Sequence, residues 1–241
     1  MSKQVADDLD ISTPQRILAG RLSLLGERLG LGWLTYNPLQ MLIYHHYAVR
    51  EAQGVIYSFE EVFPEARRYV DVGCGSGAYA AEAVRRGHPV VGLERSLAGR
   101  LIARHQGVDC RHFDLRKSLP MLDSTPFDLA YCFEVAEHLP QELGKSLVDV
   151  ICGLARKIVF SAAPPGQGGV GHINEQPADY WHARFAANGF DHNPCASLAI
   201  RKSFARHGIW APWLKNNTTI YIRRTSLPET TFTPVRSSTI S

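Results

Sequence analysis

The segment with the most chemical content is Tyr69-Val70-Asp71-Val72-Gly73-Cys74-Gly75-Ser76-Gly77, in which an apolar run carrying one acid opens into three alternating glycines. Glycine lets a backbone turn sharply and approach a ligand closely, and Cβ atoms at Gly73 and Gly75 would fill that space. A nucleotide-type ligand suits such a loop. Asp71 narrows the choice, because a loop that seats a pyrophosphate at a helix N-terminus would be opposed by a carboxylate just ahead of Gly73. A cationic ligand is favoured there.

Two further acids fit the same ligand. Glu94 closes the next apolar run, seventeen residues beyond Gly77, where a carboxylate can accept hydrogen bonds from both hydroxyls of a ribose. Phe113-Asp114-Leu115 ends the third run and offers a carboxylate to an exocyclic amino group. S-adenosylmethionine combines an adenosine, an ammonium group and a sulfonium, and it carries no phosphate. Its product would be S-adenosylhomocysteine.

Methyl transfer is an in-line displacement that needs alignment, and a base when the acceptor is a hydroxyl. Two histidines are candidates. His138 follows the fourth apolar run, and His172 lies in Ala163-Pro164-Pro165-Gly166-Gln167-Gly168-Gly169-Val170-Gly171-His172-Ile173-Asn174-Glu175-Gln176, a loop able to close over a substrate. There His172, Asn174 and Glu175 would supply a base, a hydrogen-bonding group and an acid that orients the base. Each histidine also reads as a structural residue, His138 building a helix start and His172 pinning its loop. The aromatic residues Trp33, Tyr36, Tyr44, His45, His46 and Tyr47 suit a lid over a flat or sugar-like acceptor, and Trp210 and Trp213 another wall. Adjacent residues diverge by about 100° on a helix, so His45 and His46 cannot face one ion, and no metal site is expected.

These residues need a sheet edge to bring them together. Short apolar runs at Arg68–Val72, Pro89–Leu93, Asp109–Phe113, Phe127–Phe133 and Lys157–Ser161 alternate with helical stretches at Ala78–Arg86, Ser96–Gln106 and Pro140–Arg156. That alternation predicts a parallel α/β sheet whose ligand site lies at the strands' C-terminal edge. A further helix is expected over Gln176–Asn188, and two more strands around Ala196–Ile200 and Thr218–Arg224. Ahead of the sheet, Thr13 as cap with Pro14 and Leu18, Leu22, Leu25 and Leu29 predict an amphipathic helix, and Pro38–Gln53 a second. The expected organisation is a helical lid over residues 1–60, a ligand-binding domain over 61–225, and a Ser-, Thr- and Pro-rich tail over 226–241 read as disordered.

Composition fits one domain: 241 residues, 45% hydrophobic, with 26 Lys and Arg against 23 Asp and Glu. A net charge of +3 with scattered basic residues gives no electrostatic case for nucleic acid. Five cysteines without a Cys-x-x-Cys pair point to free thiols in a reducing compartment. With no secretory-type start and no long apolar run, the expectation is a cytoplasmic protein without a membrane span.

Over residues 65 to 224 the chain resembles the class I S-adenosylmethionine-dependent methyltransferases. The resemblance is carried by Asp71-Val72-Gly73-Cys74-Gly75-Ser76-Gly77, Glu94, Phe113-Asp114-Leu115 and Cys132-Phe133-Glu134-Val135-Ala136-Glu137-His138-Leu139, the last similar to the ubiquinone-biosynthesis type. It implies a Rossmann-like seven-stranded sheet with helices on both faces and its last strand antiparallel. It also implies cofactor contacts at Asp71, Gly73, Gly75, Gly77, Glu94, Asp114, Leu115 and Phe133. Members that methylate base amino groups carry an Asn/Asp-Pro-Pro-Tyr/Phe tetrad where this chain has Phe133-Glu134-Val135-Ala136, which disfavours that activity. The resulting expectation is O-methylation of a small natural-product, sugar or quinone-like acceptor, with small-molecule N-methylation and a catalytically silent cofactor-binding subunit as alternatives.

Overall fold

The computed structural model describes residues 12–117, 122 and 126–224. The N-terminal lid expected from residue 1 therefore begins here at Ser12, and the tail over 226–241 lies outside the described residues.

Seven strands form one sheet in the order β3-β2-β1-β4-β5-β7-β6. They are β1 (Tyr69–Val72), β2 (Val90–Glu94), β3 (Asp109–His112), β4 (Phe127–Phe133), β5 (Ala155–Ser161), β6 (Phe190–His192) and β7 (Thr219–Arg223). β7 is antiparallel to both β5 and β6, and the other pairings are parallel. β1 and β2 are buried along their whole length, as strands covered on both faces must be.

Alternation along the strands feeds two cores. Val70, Val72, Ala130 and Cys132 point to one face, with Leu147 and Ile151 of α6 (Gln141–Leu154) and Trp181 and Phe185 of α7 (Ala178–Ala187). Tyr69, Leu129 and Tyr131 point to the other, against α3 (Pro38–Val62), α4 (Ala78–Arg85), α5 (Leu97–His105) and α8 (Pro194–Arg206).

The expected strand around Ala196–Ile200 is helical. Asn193 caps α8 by accepting from the Ala196 amide at 2.9 Å, and Pro194 takes the first helical position, so this Asn-Pro pair starts a helix. The sixth strand is β6, which ends just before that cap.

The second helix does not stop near Gln53. α3 continues to Val62 because Val55, Ile56 and Phe59 continue its apolar stripe into the sheet's core. Gly54 permits this: a Cβ there would meet Ile209 Cδ1 at 2.9 Å and the His207 carbonyl oxygen at 3.0 Å.

The first helix, α1 (Thr13–Leu29), takes the expected cap Thr13 as its first residue, and Ser12 before it donates through both amide and hydroxyl to Gln15 Oε1. Its leucine row does not form the packed face: Leu18, Leu25 and Leu29 are 52%, 46% and 58% exposed. The small residues Ala19, Ser23 and Gly26 face inward instead. A Cβ at Gly26 would lie 2.3 Å from the Thr35 amide nitrogen, so α1 meets α2 (Gly32–Thr35) by backbone proximity.

A Gly54→Val substitution tests the α3 contact. The added atoms overpack a junction that includes backbone oxygen, at a cost of about 1 to 3 kcal/mol. Thermal unfolding should fall by roughly 3 to 10 °C, and calorimetry would show no change if α3 were free to move aside.

Candidate cofactor and acceptor site

The glycine loop sits where the sequence places it. Gly73, Gly75 and Gly77 all have left-handed φ, at 77°, 54° and 72°, a run that only glycine takes without strain. Their reasons differ. A Cβ at Gly73 would meet Val135 Cγ2 at 2.5 Å, and one at Gly77 would meet Ala103 Cβ at 2.6 Å. Only at Gly75 would a Cβ have open space before it, so the close approach expected at both Gly73 and Gly75 belongs to Gly75.

That space is a cleft of about 170 Å³ lined by the loop, Asp71, Ala78, Tyr79, Phe133 and, from α3, Tyr44 and Ala48. Asp71 is only 4% exposed, and its Oδ2 makes no hydrogen bond among the described residues. Burial pushes its carboxyl well above the usual range, the Tyr131 hydroxyl nearby works against that, and the Glu94 charge adds to it. An approaching cation would reverse the effect by stabilising the carboxylate.

Glu94 does a structural task as well. Its Oε2 accepts from the Gly75 amide at 2.9 Å and its Oε1 from the Ser96 amide at 2.5 Å. Burial raises its pKa, and those two amides oppose the rise. Asp114 stands at the end of β3 outside the cleft lining, with Oδ1 accepting from the Arg116 amide and Oδ2 at 3.8 Å from Arg95 Nε. The Arg116 amide holds its carboxyl below the usual range against burial, and Arg95 adds to this. Leu115 packs against the core beside it. The structure thus gathers Asp71, Gly73, Gly75 and Phe133 at the cleft, joins Glu94 to it through Gly75, and leaves Gly77 as the N-cap of α4.

Sequence reasoning missed Ser76, Tyr79 and Ala48. Ser76 Oγ lies 3.1 Å from His45 Nδ1, a buried contact tying α3 to the loop. Burial lowers the His45 pKa, and the neighbouring His46 adds to the fall. Tyr79, in the first turn of α4, packs edge-on against Phe133, whose ring centroid is 5.9 Å away. Its place two residues past Gly77 was the available signal.

Beyond β4 the chain turns at Glu134, whose φ is 51°, into a short 3-10 helix, Ala136–His138. The loop after β5 folds onto this turn. Ile173 and Asn174 amides donate to the Glu137 carbonyl at 2.9 and 3.0 Å, and Asn174 Nδ2 donates to the Ala136 carbonyl. His172 Nδ1 lies 3.0 Å from Glu175 Oε1, the pairing expected from the sequence, while Gly166 and Gly168 amides donate to the same carboxylate at 2.7 Å each. Gly169 makes room for the ring, since a Cβ there would lie 2.5 Å from His172 Nε2.

His138 and His172 are brought together, their rings edge to face at 4.9 Å, with Tyr36 edge-on to His138. Burial first, then the His172 charge, lowers His138 to about 4. Burial first, then the Glu134 carboxylate, pushes the fully buried Glu137 up to about 9. Glu137, His138 and His172 each present one ligand atom within 4.8 Å of the others, a grouping that the sequence reading, with its expectation of no metal, did not find.

Residues 44–145 match a family model described as a methyltransferase domain. Together with the seven-stranded topology, that match supports a class I S-adenosylmethionine-dependent methyltransferase. Among curated proteins, this chain is 35% identical over 80 residues to a ubiquinone biosynthesis O-methyltransferase of Hahella chejuensis, covering 31% of this chain and 33% of the relative. It is 29% identical over 120 residues to the protein of that name from Aeromonas salmonicida, covering 47% and 46%. The match thus spans a third to a half of the length of these curated relatives. Among solved structures, an S-adenosylmethionine-bound amino pentose methyltransferase from Micromonospora echinaspora superposes with a TM-score of 0.56 at 20% identity, covering 73% of this chain and 92% of that one. A sugar N-methyltransferase from a Streptoalloteichus species gives 0.53 at 17%, covering 72% and 87%. No helix among the described residues is long and apolar enough to cross a membrane.

Two outcomes follow from this geometry. Gly75→Val places a branched side chain in the cleft; the left-handed strain of about 1 to 2 kcal/mol is small beside a typical folding stability of about 5 to 15 kcal/mol. Far-ultraviolet circular dichroism should stay as in the parent, while calorimetric affinity for S-adenosylhomocysteine falls at least ~100-fold, about 2.7 kcal/mol; equal affinity would remove the loop from the site. The second concerns Glu175, held below the usual carboxylate range by His172 first and then by the Gly166 amide. Because its folded pKa is depressed, the stabilisation is present above the ordinary value of 4.5 and is lost as pH falls through the folded value. Amide exchange at Gly166 and Gly168, corrected for intrinsic rates, should stay slow at pH 6 and quicken below pH 4.5; uniform protection at both would disprove the pinning.

Proposed function

We propose that the protein transfers the methyl group of S-adenosylmethionine to a hydroxyl of a small molecule. The observation that carries the cofactor is Asp71, a buried carboxylate with an unpartnered oxygen lining a cleft opened by Gly75. Its natural partner is the cofactor's ammonium group. Glu94 meets the ribose with the lone pairs its two amide donors leave free, and Phe133 and Tyr79 flank the ligand. Asp114 and Leu115, at the end of β3, face the adenine.

For the acceptor, His172 is the base and Glu175 fixes its ring, so that a hydroxyl can lose its proton as the methyl group arrives. His138, buried and neutral, holds the wall beside it. Residues 12–60 act as a lid, in which Tyr36 and Tyr47 with Trp210 supply apolar faces for a ring-shaped natural-product, sugar or quinone-like acceptor. The curated relatives' O-methyltransferase names favour oxygen, while the sugar N-methyltransferase among the structural neighbours keeps nitrogen as the alternative.

A second reading of the same corner rests on the Glu137, His138 and His172 grouping. Metal–ligand distances of about 2.0 to 2.2 Å require ligand atoms within about 4.4 Å of one another. The three ligand atoms all lie within 4.8 Å of one another, near that limit, so a divalent cation drawn in by them would acidify the acceptor hydroxyl directly.

Calorimetry with S-adenosylhomocysteine tests the cofactor, and a radiolabelled methyl-transfer screen over phenol, sugar-hydroxyl and amine acceptors tests the reaction. His172→Ala should lower turnover ~10²- to 10⁴-fold while leaving cofactor affinity unchanged. Activity abolished by a chelator and restored by a divalent cation would favour the metal reading. Parent-like turnover in His172→Ala would eliminate both roles.

A further inference from the structure

The five cysteines are free thiols, and two of them lie within reach of one another beside the glycine loop. Cys74 Sγ and Cys110 Sγ are 3.6 Å apart. Cys74 is part of the loop and lines the cleft, while Cys110 is buried on β3, two strands away from β1.

The missing side chain at Gly92 lets them meet. On β2, between β1 and β3, Gly92 is aligned with both Asp71 and Cys110. A Cβ on Gly92 would lie 2.8 Å from Cys74 Sγ. Cys74 therefore leans over the middle strand through space that any other residue would occupy, and its sulfur arrives at Cys110.

We propose that Cys74 and Cys110 form an oxidisable dithiol whose closure to a disulfide disables the cofactor cleft. The inference about the cleft rests on the cofactor reading above, whereas the disulfide itself does not. The oxidant is a peroxide. Cys74, the more accessible thiol, attacks one peroxide oxygen as thiolate; the O–O bond breaks, and a sulfenic acid and one molecule of water or alcohol result. Cys110 thiolate then attacks the Cys74 sulfur, the S–S bond forms, the S–O bond breaks, and water leaves. Two thiols lose two electrons and the peroxide gains them.

Closing the gap means shortening 3.6 Å to the bonded distance of about 2.05 Å. Cys110 is held in the β3 ladder, so most of that movement falls on Cys74 and on Gly73 and Gly75 at its sides. The Gly75 amide holds Glu94 and the residue faces the cleft, so a shift of about an ångström disturbs both. The Cys110 contact first, and burial second, raise the Cys74 thiol, so the thiolate is scarce at neutral pH and oxidation is slow there and faster in alkali.

The test treats the full-length protein with hydrogen peroxide and follows both chemistry and binding. Peptide mapping after alkylation should show a Cys74–Cys110 disulfide, with the intact mass lower by about 2 Da. Affinity for S-adenosylhomocysteine should fall at least tenfold and return with dithiothreitol. Cys110→Ala and Cys110→Ser should bind as the reduced parent does and keep that affinity after peroxide; two replacements guard against one that fails to fold. Both thiols remaining alkylatable, with oxidation confined to the exposed Cys195, would overturn the proposal. So would a mapped disulfide that leaves affinity unchanged. If the reduced parent does not bind S-adenosylhomocysteine at all, the cofactor reading fails, and the mapping still decides the dithiol.

Discussion

The hydrogen bond from the Gly75 amide to the Glu94 carboxylate fixes the edge on which the rest of the site depends. It joins the loop after β1 to the end of β2, and the second oxygen of Glu94 takes the Ser96 amide at the start of α5. α5 in turn supports the loop from below. A Cβ at Gly99 would meet the Gly75 carbonyl oxygen at 2.5 Å, and Ala103, one turn on, occupies the position that limits Gly77. Small residues at i and i+4 of one helix thus set the height of the loop above the sheet. A carboxylate that takes two backbone donors at once resists tilting, so the loop, the strand end and the helix start move as one body.

The N-terminal helical side is tied to that body at two depths. α3 is about 37 Å long at 1.5 Å per residue, and its C-terminal half belongs to the sheet's core through Val55, Ile56 and Phe59. Its N-terminal half carries His45 to Ser76 and Tyr44 to the cleft. Midway, the buried Glu51 accepts from the Ala211 amide at 2.7 Å, which orients the segment carrying Trp210 and Trp213. Burial raises the Glu51 pKa against the pull of the Ala211 and Trp210 amides. One continuous helix therefore links the aromatic walls to the glycine loop.

Much of this was legible in the sequence because the signals were local. The parallel strands read as uninterrupted apolar runs, the glycine loop as three alternating glycines, and the His172–Glu175 pairing as neighbours in one loop. Where local signals competed, the reading failed. Ala196–Ile200 looked like a strand by apolar content, but Asn193-Pro194 before it is a helix start, and the cap prevails. The leucine row of α1 looked like a packed face, but Gly26, Ala19 and Ser23 allow closer approach than leucine could, so the small side turned inward. What no local pattern could show is contact across the fold. The nearness of Cys74 to Cys110 depends on an absent side chain at Gly92, and the grouping of Glu137 and His138 with His172 depends on two loops from different strands meeting.

The two halves of the site are built by different means. On the cofactor side, backbone geometry does most of the work: left-handed glycines, an amide on Glu94, a capped α5, with a buried Asp71 oxygen that makes no hydrogen bond among the described residues. Around His138 and His172, the positions are set by loops, and the titratable groups are side chains. Glu137, pushed to about 9, and His138, lowered to about 4, are both uncharged at neutral pH when no cation is present. Beside them, Glu175 is held below the usual carboxylate range by His172 first and then by the Gly166 and Gly168 amides, so groups of opposite titration behaviour sit side by side in this corner. Under the proposed function, an acceptor reaching His172 would meet these buried groups on one side and an imidazole oriented by Glu175 on the other.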